Sequence, residues 1–136
     1  MIITTDLDMT LREQTALTDR RQVFILCDEN TAAHCLPTVQ DTLALPTEQI
    51  LILPAGETHK TLPTIERIWQ FLLASGATRH ALLLCLGGGV ITDMGGFAAA
   101  AYMRGMPFVN IPTSLLGMID ASAGGKTGFD YQGIKN

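Results

Sequence analysis

The stretch ALLLCLGGGVITDMGG, residues Ala81–Gly96, is an unbroken apolar run that ends on three glycines and continues as a helical pattern carrying Asp93. An apolar run bounded by glycine is typical of a parallel strand buried on both faces, and the helix formers of Val90–Ala101 predict a helix after it. At such a junction, free backbone N–H groups and the positive end of the helix dipole favour an anion. The sequence therefore predicts a phosphate-binding turn, with a dinucleotide pyrophosphate as its candidate ligand.

A purely structural interpretation of this turn also remains open. Glycine-rich turns between a strand and a helix occur where a helix packs tightly on a sheet. The spacing differs from the Rossmann fingerprint G-x-G-x-x-G, because Gly87, Gly88 and Gly89 are adjacent and position 92 is a threonine. The turn alone does not decide between packing and phosphate binding.

The composition excludes several classes of protein. The 136-residue chain is 47% apolar and 16% charged, with a net charge of −4, which favours one domain with a covered sheet and argues against disorder. Its nine Lys and Arg residues form no basic stripe, so we expect neither a nucleic-acid partner nor a membrane partner. The amino terminus lacks a secretory pattern and no segment is long enough to span a bilayer, so we expect a cytoplasmic protein.

The three cysteines, Cys27, Cys35 and Cys85, predict free thiols. Their number is odd, they lack C-x-x-C spacing, and two of them lie in apolar, strand-like runs. Buried thiols in a reducing cytoplasm are therefore favoured over redox or metal-binding roles.

Strand-like and helix-like segments alternate along the chain. Strands are predicted at Val23–Cys27, Ile50–Leu53, Ala81–Leu86 and Phe108–Ile111, and helices at Thr31–Ala44, Thr61–Ser75 and Val90–Ala101. Pro37 is expected to disturb the middle or the start of the first of these helices. This order implies right-handed crossovers, so the predicted fold is α/β, a Rossmann-like parallel sheet flanked by helices. A helix from Thr113 to Ala123, capped by Thr113 or Ser114, and then a carboxyl-terminal glycine-rich hairpin or loop are expected to follow.

Polar residues follow the predicted strands. In a parallel sheet, ligands bind beyond the carboxyl ends of the strands. The loops at that edge all carry polar groups, whereas the opposite loops look like ordinary connectors. The polar loops are Cys27–Asn30, Pro54–Lys60, Leu86–Asp93 and Ile111–Ser114. This asymmetry predicts a ligand site at the carboxyl edge of the sheet.

All three lysines, Lys60, Lys126 and Lys135, lie in loops rather than on helix surfaces. Contact with an anion is one explanation, and chance in a lysine-poor sequence is the other. The sequence Gly125-Lys126-Thr127 is not a P-loop, because a Walker A motif requires glycine at position 120, which is Asp120, and no strand directly precedes it. A kinase or NTPase is therefore disfavoured.

Four ordered motifs resemble the amino-terminal domain of the 3-dehydroquinate synthase family: GETHK, LGGGVITDMGGFAAAAYMRG, IPTSLLGMIDASAGGKTG and the terminal KN. The resemblance covers most of the chain. It implies a lyase of the shikimate pathway that uses bound NAD to convert the sugar phosphate 3-deoxy-arabino-heptulosonate 7-phosphate into 3-dehydroquinate and phosphate. A related sugar-phosphate cyclase, a glycerol dehydrogenase relative and a stand-alone nucleotide-binding module remain alternatives.

The resemblance implies that residues 1–136 form an amino-terminal NAD-binding α/β domain. The matching cofactor positions are Asp28 at the adenosine end, Glu57 and Lys60 at the ribose, Gly88, Gly89 and Val90 at the pyrophosphate, Asp93 near the nicotinamide half, the hydroxyl residues Thr113 and Ser114, and Lys126 and Lys135. An acidic residue paired with ribose hydroxyls disfavours a 2′-phosphate, so NAD is expected rather than NADP. Structural roles, for Asp93 at its helix terminus and for Thr113 as a cap, are compatible with ligand contact.

The same resemblance implies a substrate side. Lys126 and Asn136 would hold the substrate phosphate, Asp120 a substrate hydroxyl, and Lys135 the region between cofactor and substrate. Arg104 matches an arginine that reaches the phosphate site of a neighbouring subunit, which implies a homodimer. A surface arginine that closes a helix is the alternative for Arg104.

The family's divalent metal, zinc or cobalt, is held by a glutamate and two histidines in a following helical domain, which this chain lacks. His34, His59 and His80 lie in a helix pattern, in the ribose loop and in a connector, so we expect no metal site from them. The resemblance therefore implies the cofactor-binding half of the enzyme, inactive by itself.

Overall fold

The computed structural model describes Thr4, residues 6–122 and residues 125–135, and in this part of the chain four strands form one sheet. The strands are β1 Val23–Asp28, β2 Ile50–Leu53, β3 Leu82–Gly87 and β4 Phe108–Pro112. Their order is β2-β1-β3-β4, and every adjacent pair is parallel. The predicted α/β fold is confirmed, and each observed strand end lies within one residue of its prediction.

The strand order reverses between β1 and β3. The chain leaves β1 to form β2 on one side, and later returns to place β3 and β4 on the other side. Such a reversal opens a crevice beyond the carboxyl ends of the two neighbouring strands, where ligands of parallel sheets bind. The turn after β1 and the glycine turn after β3 therefore flank the expected ligand site.

Helices cover both faces of the sheet. They are α1 Leu7–Thr15, α2 Glu29–His34, α3 Leu36–Leu43, α4 Leu62–Ala74 and α5 Gly89–Ala101. Phe24 of β1 packs in the core with α4 and α5, whereas the next residue, Ile25, belongs to the core formed with α1, α2 and α3. Because successive strand residues point to opposite faces, the unbroken apolar run of β1 serves both cores. None of the described helices has the length and apolarity needed to cross a bilayer.

Two helical regions differ from the sequence prediction. The helix predicted over 31–44 is two helices: the chain divides at Cys35, and Pro37, which was expected to disturb the helix, lies in the first turn of α3, where its missing N–H is tolerated. Helix α1 was not predicted. It begins where the Asp6 carboxylate accepts a hydrogen bond of 2.9 Å from the Met9 N–H, and it buries Leu11 against the sheet.

The carboxyl-terminal part is less regular than expected. After β4 a short helical segment ends in the π-helical turn Gly117–Ala121, while Ala123 and Gly124 lie outside the described residues. Residues 125–135 form an irregular segment with one isolated antiparallel bridge between Tyr131 and Ile134. The expected glycine-rich hairpin is therefore not confirmed, and the loop alternative describes this segment better.

Helix α5 packs closely against its neighbours because two of its residues lack side chains. A Cβ atom at Gly95 would overlap the Cys85 sulfur on β3, and one at Gly96 would overlap the side chain of Thr127. The face of α5 that carries Gly95 therefore packs directly on the sheet. A second face, which carries Gly96, packs against the carboxyl-terminal segment.

The cysteines provide a test of this packing. Cys27 and Cys85 are buried and Cys35 is half-buried. Burial, with a smaller contribution from the Asp28 charge, raises the pKa of the Cys27 thiol to about 12, and burial raises the pKa of Cys85 to about 12.

At pH 8 a thiol reagent should label Cys35 rapidly in the folded protein, and all three thiols only after denaturation. The variant Cys35→Ser should lose the rapid phase, and rapid labelling of Cys27 or Cys85 would contradict the fold.

Candidate functional site

The polar loops predicted from the sequence do lie at one edge of the sheet, because all four strands of the described sheet are parallel. The loop after β4 is tied to the glycine turn by a hydrogen bond of 3.0 Å from the Thr113 N–H to the Gly87 carbonyl. The loop after β2 reaches the same region through Lys60, whose ammonium group contacts Asp93 on α5. The edge thus assembles three of the predicted loops into one surface.

The glycine turn has a clear packing role and also places the amino terminus of α5 at the crevice. Strand β3 ends at Gly87 and α5 begins at Gly89, with Gly88 as the cap residue between them. A Cβ atom at Gly87 would lie 2.6 Å from the Ile91 Cβ atom, so this glycine is required for packing. A Cβ atom at Gly88 would lie 3.3 Å from the Ser114 hydroxyl, so its absence keeps the adjoining loop close. The amino terminus of α5 begins at this turn, and its first N–H groups have no acceptor within the helix.

Ser114 acts as the cap of the segment after β4. Its hydroxyl accepts a hydrogen bond of 3.1 Å from the Gly117 N–H, and its carbonyl accepts one of 3.0 Å from the Met118 N–H. Thr113 stands just before it, with an exposed side chain. Of the two caps considered from the sequence, Ser114 is the observed one, and the Thr113 hydroxyl lies on the surface of the edge.

Asp28 has a structural role that was not predicted from the sequence. Its carboxylate accepts a hydrogen bond of 2.8 Å from the Thr31 N–H, and its own N–H donates one of 3.0 Å to the Thr31 hydroxyl, which forms a capping box at the start of α2. The Thr31 hydroxyl also lies 3.1 Å from the Leu86 carbonyl and so links the ends of β1 and β3. The D-x-x-T spacing was the signal available in the sequence. The cap fixes Asp28 beside the crevice.

Glu57 belongs to a turn whose shape requires glycine. Gly56 has a φ of 113°, a conformation that residues with side chains rarely adopt, and the short 3-10 turn Glu57–His59 follows it. The Glu57 side chain is exposed, and its carboxylate lies 3.7 Å from the Lys135 ammonium group. At that distance and exposure the pair is weak, so the carboxylate remains available to a ligand.

The strongest electrostatic contact of the site joins Lys60 and Asp93. The Lys60 Nζ atom lies 2.6 Å from the Asp93 Oδ2 atom, with 4% and 13% of the two side chains exposed. A buried charge without a partner is costly, so each group depends on the other. The pair fastens the loop after β2 to the first turns of α5.

The carboxyl-terminal segment is attached to the same two residues. The Lys60 carbonyl accepts a hydrogen bond of 2.7 Å from the Asp130 N–H, and the Asp93 carbonyl accepts one of 3.2 Å from the Gly128 N–H. Phe129 packs edge-on against Phe97 of α5, with ring centroids 4.9 Å apart. The segment that carries Lys126 and Lys135 is therefore positioned by the residues that form the ion pair.

Of the predicted substrate residues, Asp120, Lys126 and Lys135 are exposed. Lys126 Nζ lies 3.0 Å from the Asp120 Oδ1 atom, with 74% and 57% of these side chains exposed. The contact brings together two of the residues assigned to the substrate side, in a pair that solvent screens. Asn136 lies outside the described residues.

Arg104 lies away from this edge. It is exposed in the turn Tyr102–Arg104, which follows the carboxyl end of α5, and the amino end of that helix is the one at the site. The structure therefore does not bring Arg104 to the site of its own chain. The predicted role in a neighbouring subunit stays a prediction.

The histidines do not assemble. His34 and His80 are exposed and His59 is half-buried, and the residues that the structure describes contain no group of three or more His, Cys, Asp and Glu side chains placed to hold a metal.

Comparison with known proteins identifies relatives of the whole chain. A family model described as 3-dehydroquinate synthase N-terminal matches residues 50–136. The 3-dehydroquinate synthase of Parabacteroides distasonis is 43% identical over 136 residues, and that of Psychrobacter cryohalolentis is 46% identical over 117 residues. These alignments cover 100% and 85% of this chain but only 38% and 32% of the relatives. The chain thus spans about a third of the length of these proteins.

Two solved structures share the fold. A 2-epi-5-epi-valiolone synthase from Streptomyces hygroscopicus, with NAD+ and Zn2+ bound, is 31% identical and superposes with a TM-score of 0.72 over 96% of this chain and 36% of that chain. A 2-deoxy-scyllo-inosose synthase superposes with a TM-score of 0.78 over 93% of this chain and 36% of that chain, at 22% identity. At that lower identity the second match supports the fold alone.

The Lys60–Asp93 pair yields a test of stability. Replacing Lys60 by Met leaves the Asp93 carboxylate buried without its partner, so the free energy of unfolding should fall by about 3–5 kcal/mol. The double variant Lys60→Met/Asp93→Leu, which removes both charges, should recover most of this loss. Urea denaturation measures both effects.

The exposed pair is the matched control for that experiment. Lys126→Met removes a lysine from a solvent-exposed ion pair and should lower stability by less than about 1 kcal/mol. Equal losses for Lys60→Met and Lys126→Met would contradict the importance of the buried pair.

Proposed function

The chain belongs to the 3-dehydroquinate synthase family, and we propose that residues 1–136 are the amino-terminal NAD-binding domain of such an enzyme. In this proposal a following helical domain supplies the metal ligands, in keeping with the larger size of the relatives. The helical segment after β4 offers an exposed apolar surface for such a neighbour. Its exposed side chains are Leu115, Leu116, Met118 and Ile119. The domain alone is expected to be inactive.

The residues at the carboxyl edge fit a dinucleotide. The amino terminus of α5, with Gly88, Gly89 and Val90, presents backbone N–H groups suited to the pyrophosphate. The exposed Glu57 carboxylate suits the ribose hydroxyls, and Asp28 borders the crevice on the adenosine side. This arrangement of an anion-binding turn beside an exposed carboxylate is the observation that carries the proposal.

The buried pair and the loop after β4 complete the proposed cofactor site. Asp93 is assigned to the nicotinamide half of the cofactor and Lys60 to the adenosine ribose. The cofactor would therefore contact two groups whose charges neutralise each other in the described structure. The Thr113 hydroxyl is exposed at the same edge, and the Ser114 hydroxyl lies against Gly88. Both are assigned to hydrogen bonds with the cofactor.

The proposed reaction converts 3-deoxy-arabino-heptulosonate 7-phosphate into 3-dehydroquinate and phosphate. When bound, NAD would supply transient oxidation of a ring hydroxyl, which would acidify the neighbouring C–H bond and permit phosphate elimination. Return of the hydride to the ketone would regenerate NAD, and an intramolecular aldol step would then close the carbocycle. Lys126 and Asn136 are assigned to the phosphate group, Lys135 to the boundary with the cofactor, and Asp120 to a substrate hydroxyl. Since Lys126 and Asp120 already pair, substrate binding exchanges a screened ion pair for contacts to both charges.

Further parts of the proposal concern the assembly. A divalent metal, zinc or cobalt, is assigned to the following domain, and the Zn2+ bound in the related valiolone synthase supports the use of such a metal. A homodimer is proposed in which Arg104 serves the neighbouring subunit, in keeping with its place far from its own site.

A related cyclase activity is the second candidate, favoured by the 31% identity to the valiolone synthase. The higher identity to proteins named 3-dehydroquinate synthase, 43% over the whole chain, ranks the first candidate above it. A stand-alone nucleotide-binding module would be supported only if the reading frame did not continue into a helical domain with spaced histidines.

Cofactor preference tests the site directly. We expect NAD to bind this chain more tightly than NADP, because the Glu57 carboxylate accepts from ribose hydroxyls and repels a 2′-phosphate. Glu57→Gln should reduce the NAD preference by about tenfold, as measured by calorimetric titration. Glu66→Gln, an exposed change on α4, is the matched control and should leave the preference unchanged. A preference for NADP in the unchanged chain would contradict the proposal.

Activity is tested on the longer protein. Offered the heptulosonate phosphate with NAD and zinc or cobalt, it should release inorganic phosphate, and Lys126→Met should lower kcat/KM by about 10- to 100-fold through a lost phosphate contact. Arg79→Met, at an exposed connector before β3, should have no effect. Release of phosphate only from a different sugar phosphate would favour the related cyclase instead.

A further inference from the structure

Thr92 is a fully buried polar residue in the first turns of α5. Its hydroxyl lies 3.2 Å from the Gly88 carbonyl and 3.1 Å from the Gly89 carbonyl, and its own N–H donates to the Gly88 carbonyl at 3.1 Å. One side chain thus contacts both of the peptide groups that open the helix. The proposed cofactor contacts at Gly88, Gly89 and Val90 do not include it.

The geometry of a peptide group connects these contacts to the ligand side of the turn. In a planar trans peptide the N–H group points away from the carbonyl of the preceding residue. Fixing the Gly88 carbonyl therefore fixes the direction of the Gly89 N–H, and fixing the Gly89 carbonyl does the same for the Val90 N–H. Those two N–H groups lie at the amino terminus of α5, where they have no acceptor within the helix.

The glycines need such a constraint. Glycine loses more conformational freedom on ordering than other residues, so consecutive glycines at the turn are costly to hold in one conformation. Thr92 is β-branched and stiff at χ1, and its surroundings bury it completely. A stiff, buried hydroxyl is well suited to hold two flexible peptide groups.

Hydrogen bonding of a threonine to a carbonyl three or four residues earlier is also a common way to satisfy a helix hydroxyl. Thr15, the last residue of α1, makes such contacts with the Leu11 carbonyl at 2.9 Å and the Arg12 carbonyl at 3.4 Å. The position of Thr92 is different, because the carbonyls it contacts belong to the peptides of the proposed anion-binding turn. Thr15 therefore provides a control with the same chemistry and no connection to the turn.

We propose that Thr92 is a positioning residue for the pyrophosphate of the cofactor, acting through the Gly89 and Val90 N–H groups without touching the ligand. This inference rests on the proposed function and deepens it. In this proposal the Thr92 side chain orients two N–H groups that the glycines alone would leave flexible. Loss of its hydroxyl should therefore weaken the binding of ligands that carry a pyrophosphate and of no others.

The test compares ligands with and without that group. We would titrate the unchanged chain, Thr92→Val, Thr92→Ser and Thr15→Val with NAD, ADP and adenosine, following amide chemical shifts by NMR. In Thr92→Val, NAD and ADP should bind about three- to tenfold more weakly, since one hydrogen bond is lost, while adenosine binding should change less than about twofold. Thr92→Ser, which keeps the hydroxyl, and Thr15→Val should bind all three ligands like the unchanged chain.

The possible outcomes separate this inference from the function on which it rests. Unchanged NAD affinity in Thr92→Val, or an equal loss for adenosine and ADP, would overturn the positioning role while leaving NAD binding intact. Failure of the unchanged chain to bind NAD or ADP at millimolar concentration would overturn the proposed function, and the inference with it. If Thr92→Val does not fold, Thr92→Ala removes the same hydroxyl with less apolar bulk and is held to the same expectations.

Discussion

The ion pair between Lys60 and Asp93 is the interaction on which the carboxyl edge of the sheet depends. Its atoms are 2.6 Å apart and almost fully buried, so neither charge has water to replace its partner. Because Lys60 lies in the loop after β2 and Asp93 on the helix after β3, the pair spans the position of β1 between them. The pair therefore links the loop after β2 to α5 across the crevice, and the hydrogen bonds of the sheet do not supply this link.

The backbone of the same two residues extends the constraint to the carboxyl-terminal segment. Their carbonyls accept hydrogen bonds from the Asp130 and Gly128 N–H groups, so the segment that carries Lys126 and Lys135 is attached to the proposed cofactor loops. Gly96 permits this attachment, since a side chain there would overlap Thr127. A substitution at the buried pair should therefore disturb both the proposed cofactor side and the proposed substrate side of the site. The exposed Lys126–Asp120 contact can rearrange locally.

The sequence predicted the strands and their edge well because those features are encoded locally. Apolar runs buried on two faces leave little ambiguity, and the loops after parallel strands must share an edge. A disturbance by Pro37 was expected, but the division into two helices at Cys35 was not, because Pro37 is compatible with the start of a helix as well as with an interruption. The partnership of Lys60 with Asp93 and the cap role of Asp28 were missed for a different reason, since residue types alone do not reveal whether a carboxylate faces a ligand or a protein group.

The glycine-rich turn illustrates how one local motif divides its roles among neighbouring residues. Gly87 and Gly95 are needed for close packing, because side chains there would overlap Ile91 and Cys85. Close packing of helix on strand therefore does not require a glycine at position 92, where the Rossmann fingerprint has one. That position is free to hold a buried threonine whose hydroxyl reaches back to the peptides of the turn. Packing and anion binding are thus not competing explanations of the motif, because the residues that place the helix on the sheet also place its amino terminus at the crevice.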